Sequence, residues 1–220
     1  FNLLLHKRTL NNLRSLNFFE KVDDNIVNGT LPNQKILNIT VEEKPTGEIS
    51  AGAGVGTGGG TLAFGVQENN FLGRGVEFGT DITLTQETVR GIVSINNPNY
   101  NGTNRTLDFS VESQATDRLK NFGYKSTKTG LSIGSGFEYY EDFFLNIGIS
   151  SFLEDLETDA SASSTMKKQN GSYFDTFFNY TLAYDMRNQS FKPSDGFISR
   201  FTQNVPLISK NYTLTNSYDL

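Results

Sequence analysis

Several residue types and patterns are missing from this chain, and each absence excludes a class of protein. The 220 residues contain no cysteine, which excludes a disulfide framework, a thiol nucleophile and a cysteine metal site. The formal net charge is -5, so the chain has no strongly basic face and no nucleic acid is expected as a partner. No run of about 18 apolar residues is present, which excludes a membrane-spanning helix but leaves open the alternating strands of a membrane β-barrel.

Motifs that suggest chemistry are few. His6 is the only histidine, and without a second histidine or a cysteine we expect it at the surface or at a helix start rather than as a base or ligand. Gly54, Gly56 and Gly59 match the dinucleotide fingerprint G-x-G-x-x-G. The following "TLAFGVQENN" alternates like a strand, so no helix N-terminus is available to hold a phosphate. No Lys-Ser or Lys-Thr pair follows, which excludes a P-loop.

A polar stretch, "EDLETDASASSTMKKQNGS" at 154–172, predicts a long loop. It carries four carboxylates, on Glu154, Asp155, Glu157 and Asp159. A divalent cation site is one interpretation of these side chains, and a solvated loop is the interpretation we adopt. We therefore predict no catalytic residue, no cofactor and no metal site, and we do not expect an enzyme.

The first part of the chain predicts a small helix–strand–strand unit. In 7–17, "KRTLNNLRSLN", leucines recur about one helical turn apart, as in an amphipathic helix. Two extended runs follow at 18–27 and 35–43, separated by the turn-like "NGTLPN". Pro45 and Gly47 then mark a boundary, so we divide the chain into domains at 1–46 and 47–220.

From residue 48 onward the hydrophobic period is two, which predicts strands with one apolar and one polar face. The clearest alternating runs are 76–85, 89–96, 107–112, 131–139, 143–149 and 174–185. We count about ten strands, several of about 9 to 11 residues, the length that a tilted strand needs to cross a bilayer. Such a sheet closes into a barrel or splits into a sandwich. The second face carries Glu, Asp, Thr, Ser, Asn and Gly, which favours a wide, wet interior.

Several stretches together resemble the BamA-type outer-membrane protein assembly factors, which carry POTRA domains followed by a sixteen-stranded barrel. "LRSLNFFEKV" with "NITVEEKPTGEI" is similar to the end of the last POTRA domain and its junction to the barrel. "GVQENNFLGRG" resembles that family's second strand and turn, and "INNPNY" the end of its fourth strand. "YDMRNQSFKPSDGF" resembles its recurrent turn, with arginine, proline and glycine at those spacings.

This resemblance implies a mainly β fold: a partial, transmembrane, antiparallel up-and-down β-barrel preceded by a partial α+β POTRA domain. Residues 1–46 would then be the C-terminal part of a POTRA domain in the periplasm, and 47–220 the N-terminal part of a barrel in the bacterial outer membrane. The chain would be a piece of a longer protein. The implied function is the folding and insertion of other barrel proteins, with unfolded outer-membrane protein clients, accessory assembly lipoproteins and outer-membrane lipids as partners.

The resemblance also makes the glycine-rich stretch the first barrel strand, at which clients would enter. It consists of Ile49, Ser50, Ala51, Gly52, Ala53, Gly54, Val55, Gly56 and Thr57. Glycine weakens a strand through backbone entropy and the missing side chain, and thin side chains leave the register loosely specified. We therefore expect a strand that releases its neighbour easily.

A second group of residues has a structural role only. It lies in the stretch that resembles the recurrent turn of the BamA-type family, and it consists of Arg187, Phe191, Pro193 and Gly196. Proline fixes the backbone and glycine permits positive φ, which is sufficient for a tight strand connection. Two other functions stay open for the chain: a passive porin or secretion pore of the same superfamily, and a soluble β-sandwich binding module.

Overall fold

A computed structural model describes residues 2–31, 34–56, 59–188, 193–210 and 212–220. Two sheets account for its strands, one of two strands and one of ten. Across those described ranges, no helix combines the length and the apolar character that a bilayer crossing requires.

The N-terminal unit consists of one helix and a two-stranded antiparallel sheet. Helix α1 spans Leu3–Ser15, strand β1 spans Phe19–Asn28 and strand β2 spans Lys35–Glu43. Leu10 on α1 and Val22 on β1 are both buried. The small core of this unit therefore lies between the helix and its neighbouring strand.

The helix predicted for 7–17 is confirmed, although it begins and ends earlier. The Asn2 side-chain oxygen accepts hydrogen bonds from the backbone N–H groups of Leu4, at 2.9 Å, and Leu5, at 3.2 Å. Such a cap satisfies N–H groups that have no partner within the first turn, so the helix begins directly after it. At the other end Asn17 has a φ of 59°, which lies outside the right-handed helical region and ends the helix.

The second sheet contains ten strands in the order of the chain, each antiparallel to its neighbours. They are β3 Gly47–Gly56, β4 Gly59–Phe71, β5 Val76–Thr85, β6 Thr88–Asn97, β7 Thr106–Arg118, β8 Tyr124–Tyr140, β9 Phe143–Thr158, β10 Gly171–Asp185, β11 Ile198–Ile208 and β12 Thr215–Asp219. Two short helices lie in connections: α2 Leu119–Phe122 and α3 Ser164–Lys168. The predicted antiparallel up-and-down order of about ten strands is confirmed. Within the described ranges, β3 and β12 are the two edges of this sheet.

The register separates the side chains of this sheet into an apolar and a polar face. One row of directly opposed residues consists of Phe78, Ile95, Phe109, Ile133, Ile149 and Phe178. The adjacent row consists of Gly79, Ser94, Ser110, Ser132 and Ser150. Because successive side chains of a strand point to opposite faces, these rows lie on opposite sides of the sheet. The face pattern predicted from the sequence is thus present.

The apolar face is open rather than packed into a core. Leu131 and Ile133 are 49% and 48% exposed although they lie in the middle of β8, and Leu153 on β9 is 52% exposed. Among the described residues no large side chain is fully buried. A β-sandwich would cover such a face with its second sheet, so the single ten-stranded sheet does not favour the sandwich alternative.

Two aromatic pairs lie at the same end of the ten-stranded sheet, and three further pairs lie along β9, β10 and β11. The rings of Phe71 and Phe78 stack with centroids 5.3 Å apart, where β4 turns into β5. At the β10–β11 connection Tyr184 and Phe197 meet edge to face at 5.9 Å. Such pairs resemble the aromatic girdles that flank the apolar band of membrane barrels.

The polar stretch predicted as a loop at 154–172 is partly strand, and that prediction was wrong at both ends. Strand β9 continues to Thr158, and β10 already begins at Gly171. Glu157 is held there by an ion pair with Lys125 on β8, at 2.8 Å. Leu156, the residue before Glu157, is buried at this end as well. Cross-strand charge pairs also support a sheet, and hydrophobic alternation alone does not detect them.

Candidate functional site

The predicted client strand is an edge of the ten-stranded sheet. Strand β3 pairs with β4 along its whole length, from Gly47 opposite Glu68 to Gly56 opposite Gly59. In the described part of the chain its other side has no partner strand. The strand includes all the predicted residues except Thr57, which lies outside the described ranges. We call the Gly47 end of β3 its basal end and the Gly56 end its tip.

The face of β3 that carries Gly52, Gly54 and Gly56 has no neighbouring side chains. A Cβ atom added to Gly52, Gly54 or Gly56 would meet nothing within 4 Å. The residues between these glycines are exposed as well, Val55 to 94%. Close packing therefore does not explain these glycines. The tip is held to β4 by backbone hydrogen bonds with almost no help from side chains, so its pairing is weak.

At the basal end, where Ile49 is 86% exposed, polar side chains approach the glycines on the other face. A Cβ on Gly65 of β4 would lie 2.6 Å from the Ser50 hydroxyl and 2.7 Å from an Asp81 carboxylate oxygen. The side chains of Ser50 on β3 and Asp81 on β5 thus both occupy the space above Gly65. A Cβ on Gly47 would lie 3.0 Å from a carboxylate oxygen of Glu68.

Three further residues hold the basal end, and none of them was predicted from the sequence. The Thr46 hydroxyl donates a hydrogen bond to the Glu68 carboxylate. The side-chain amide of Asn69 donates to the backbone carbonyl of Thr46 at 3.2 Å, and the Asn69 backbone N–H donates to the same oxygen at 3.4 Å. The available signal was the polar run "QENN" at 67–70, which interrupts the alternation of β4.

The polar face beside β3 forms a cleft of about 200 Å³. Its lining includes the side chains of Glu48, Gln67, Glu77, Asp81 and Asn96. The Asn96 amide donates to the Glu77 carboxylate at 3.0 Å. This wall is hydrophilic and acidic, which suits contact with water.

The predicted structural turn joins β10 to β11. Arg187 donates from Nε and Nη2 to the two carboxylate oxygens of Asp185, at 2.7 and 2.6 Å, and these hydrogen bonds raise the pKa of its guanidinium. Gly196 has a φ of 90°, and a Cβ there would lie 2.1 Å from the Met186 carbonyl oxygen. Pro193 lies in the same connection, whereas Phe191 lies outside the described ranges.

The remaining candidates have local partners. His6 Nε2 lies 2.9 Å from the Asp24 carboxylate within the N-terminal unit. Asp159 accepts hydrogen bonds from the side chain and backbone of Ser161, which lower the pKa of its carboxyl group. Gly59 of the dinucleotide fingerprint begins strand β4. Over the part of the chain that the structure describes, no group of three or more His, Cys, Asp or Glu side chains is placed to hold a metal ion.

Comparison with known proteins shows the family. The Omp85 superfamily domain matches residues 70–218, so the chain belongs to the Omp85 superfamily. BamA from Haemophilus ducreyi lacking POTRA domains 1–3 has a similar structure, with a TM-score of 0.73 and 20% identity over 91% of this chain and 42% of that one. CdiB from Escherichia coli is similar with a TM-score of 0.54 and 14% identity, over 95% of this chain and 40% of that one.

These matches confirm the resemblance to BamA-type proteins found in the sequence. At such identities the likeness to solved structures concerns the fold, and the chain spans less than half the length of either protein. The superfamily and the barrel likeness support a location in the bacterial outer membrane.

Proposed function

We propose that this chain is part of an outer-membrane protein assembly factor, in which the edge strand β3 accepts strands of client barrels. The observation that carries the proposal is the empty glycine face of β3, where Gly52, Gly54 and Gly56 have no neighbour within 4 Å of an added Cβ. A strand held so weakly exchanges partners at low energetic cost. Membership of the Omp85 superfamily supports this function over an unrelated barrel.

The ten-stranded sheet would be the first part of a transmembrane barrel. Its apolar face, including Leu131 and Ile133, would contact lipid, and the acidic face around Glu77 and Asp81 would line a water-filled interior. Strand lengths support this arrangement, since every strand of the large sheet except β12 has at least the about 9 to 11 residues that a tilted transmembrane strand requires. Outer-membrane lipids would then be direct partners.

Residues 1–46 would be the C-terminal part of a POTRA domain in the periplasm, with the barrel portion at 47–220. The match to the Haemophilus ducreyi protein covers 91% of the chain, more than the ten-stranded sheet alone, and so extends into the N-terminal unit. A two-stranded sheet with an open edge can add a strand from a partner. We propose that unfolded clients and accessory assembly lipoproteins bind in this way.

The mechanism needs neither a nucleotide, a cofactor nor covalent chemistry. A client strand that enters lipid carries unpaired backbone N–H and C=O groups, each costing several kcal/mol in hydrocarbon until it finds a partner. The edge of β3 supplies those hydrogen bonds until the client closes on itself. In this proposal the protein acts as a template rather than as an enzyme.

Valine substitution on the glycine face tests this function. Gly52→Val together with Gly54→Val adds branched side chains that stiffen β3 without a clash, since both positions are empty. We expect the full-length double variant to fold and to insert clients into reconstituted vesicles at a reduced rate. Gly91→Val on β6 is the matched control, because Gly91 also has nothing within 4 Å but lies on an inner strand.

Unchanged client insertion by the folded double variant would refute the proposal that β3 accepts client strands. A porin or secretion pore would instead show steady conductance through the full-length protein with no effect on other barrels. A soluble module would remain in solution without detergent.

A further inference from the structure

Side-chain hydrogen bonds hold the basal end of β3, whereas the tip has none from its glycine face. The tip should therefore loosen before the base. We infer that Thr46, Glu68 and Asn69, here called the basal clasp, are positioning residues that fix the basal end of β3 on β4 while its tip bends away from β4 and pairs with a client strand along its unpaired edge. This inference rests on the proposed function of β3, and it assigns the basal clasp as the fixed point about which the tip moves.

The clasp joins the residue before β3 to the end of β4. Thr46 donates through its hydroxyl to Glu68 and accepts through its carbonyl from Asn69, whose side-chain amide lies 3.2 Å away. The Glu68 carboxylate also accepts the backbone N–H of Asn70 at 2.8 Å. Hydrogen bonds to a charged carboxylate are stronger than neutral ones, so this end of the hairpin resists separation.

The clasp continues toward the N-terminal unit. The Asn70 side-chain oxygen accepts the backbone N–H of Gly75 at 2.7 Å, which closes the turn after β4. A Cβ on Gly75 would lie 3.5 Å from the ring of Phe18, so this ring lies beside the turn. The backbone N–H of Lys44 donates to the Phe18 carbonyl at 3.0 Å. The base of β3 is therefore linked through hydrogen bonds to the end of β4 and the turn, with Phe18 of the preceding unit beside that turn.

The tip has no comparable attachment. From Gly52 to Gly56 the glycine face meets no side chain, and only the backbone ladder joins this part to β4. Local opening of a structure follows the regions with the fewest side-chain contacts. Strand β3 should thus open from the tip toward the base, and the clasp keeps its register while it does so.

Hydrogen exchange of the full-length protein in detergent micelles tests the clasp directly. We expect amides of 51–56 to exchange at least about tenfold faster than those of 46–50 in the wild type. Thr46→Val removes the hydroxyl at nearly constant volume, and we expect exchange of 46–50 to rise about tenfold, the effect of losing one hydrogen bond to a charged group. Thr46→Ser keeps the hydroxyl and should restore the wild-type profile.

Thr129→Val is the matched control, since it removes a cross-strand hydroxyl contact of 2.9 Å with Ser113 far from β3. It should leave exchange of 46–50 unchanged. Client insertion by Thr46→Val should fall, while Thr46→Ser and Thr129→Val should keep it. Equal exchange of 46–50 in Thr46→Val and wild type would overturn the inference, as would equal insertion. If the wild type inserts no client, the proposed function fails, whereas the exchange result still supports or overturns the clasp.

Discussion

Single glycines have opposite roles in different parts of this chain. At Gly52 the backbone is extended and the space beside it is empty, so glycine there lowers the stability of a strand without relieving any crowding. At Gly196 the φ of 90° and the nearby Met186 carbonyl leave no room for any side chain. The first glycine therefore weakens its strand, and the second is required by the turn.

Alanine at Gly196 should be more destabilising than alanine at another glycine of positive φ. Gly196→Ala places a Cβ 2.1 Å from the Met186 carbonyl oxygen as well as straining φ. We expect a loss of about 2–4 kcal/mol in the free energy of unfolding. Gly73→Ala has a φ of 69° but no atom within 4 Å, and should cost about 1–2 kcal/mol. Urea unfolding of the refolded full-length protein measures both, and equal losses would contradict the crowding at Gly196.

At the scale of elements, hydrophobic alternation predicted the existence of the strands well and their ends poorly. The existence of β8 and β10 follows from apolar side chains at every second position, because that pattern matches the pleat. The end of β9 carries the Lys125–Glu157 ion pair, and the base of β3 is held by Thr46 and its partners. Such contacts join residues distant in sequence, so a local pattern such as the polar run at 67–70 can mark one side of a contact but not its partner.

Charge placed on either face of β8 distinguishes lipid from water. Ile133→Arg would put a guanidinium on the apolar face in the middle of the strand, at a cost of about 2–4 kcal/mol near the bilayer midplane. We expect little folded barrel in membranes. Ser132→Arg points to the polar face, beside Asp108, and should fold normally. The fraction of full-length protein that migrates faster unheated than heated on a gel reports the outcome. Similar folded fractions for both variants would contradict a lipid-facing apolar surface.

At the scale of the whole molecule, the strand order was accessible from the sequence because each strand of the large sheet pairs with its neighbour along the chain. Turn signals and alternation then suffice to give the topology. The candidate site was predicted only in part: the glycines of β3 indicate a weak strand, but its empty surroundings and its basal clasp become visible only when β4 and the turn after it are placed beside it. The position of the Phe18 ring beside that turn likewise depends on the placement of the N-terminal unit.

In the proposed function β3 is the strand that pairs with clients, and site-specific cross-linking measures that pairing. The 220 residues contain no cysteine, so Ile49→Cys, Val55→Cys and Ile133→Cys each introduce a thiol that is unique within this part of the protein. The first two lie on the edge strand, at 86% and 94% exposure, and the third lies on β8, which is paired on both sides. A client with one cysteine in its terminal strand is then assembled by each full-length variant in vesicles. We predict disulfide-linked client at the two β3 positions and none at Ile133→Cys. Client assembly without cross-links to β3, or with equal yields at all three positions, would contradict the account.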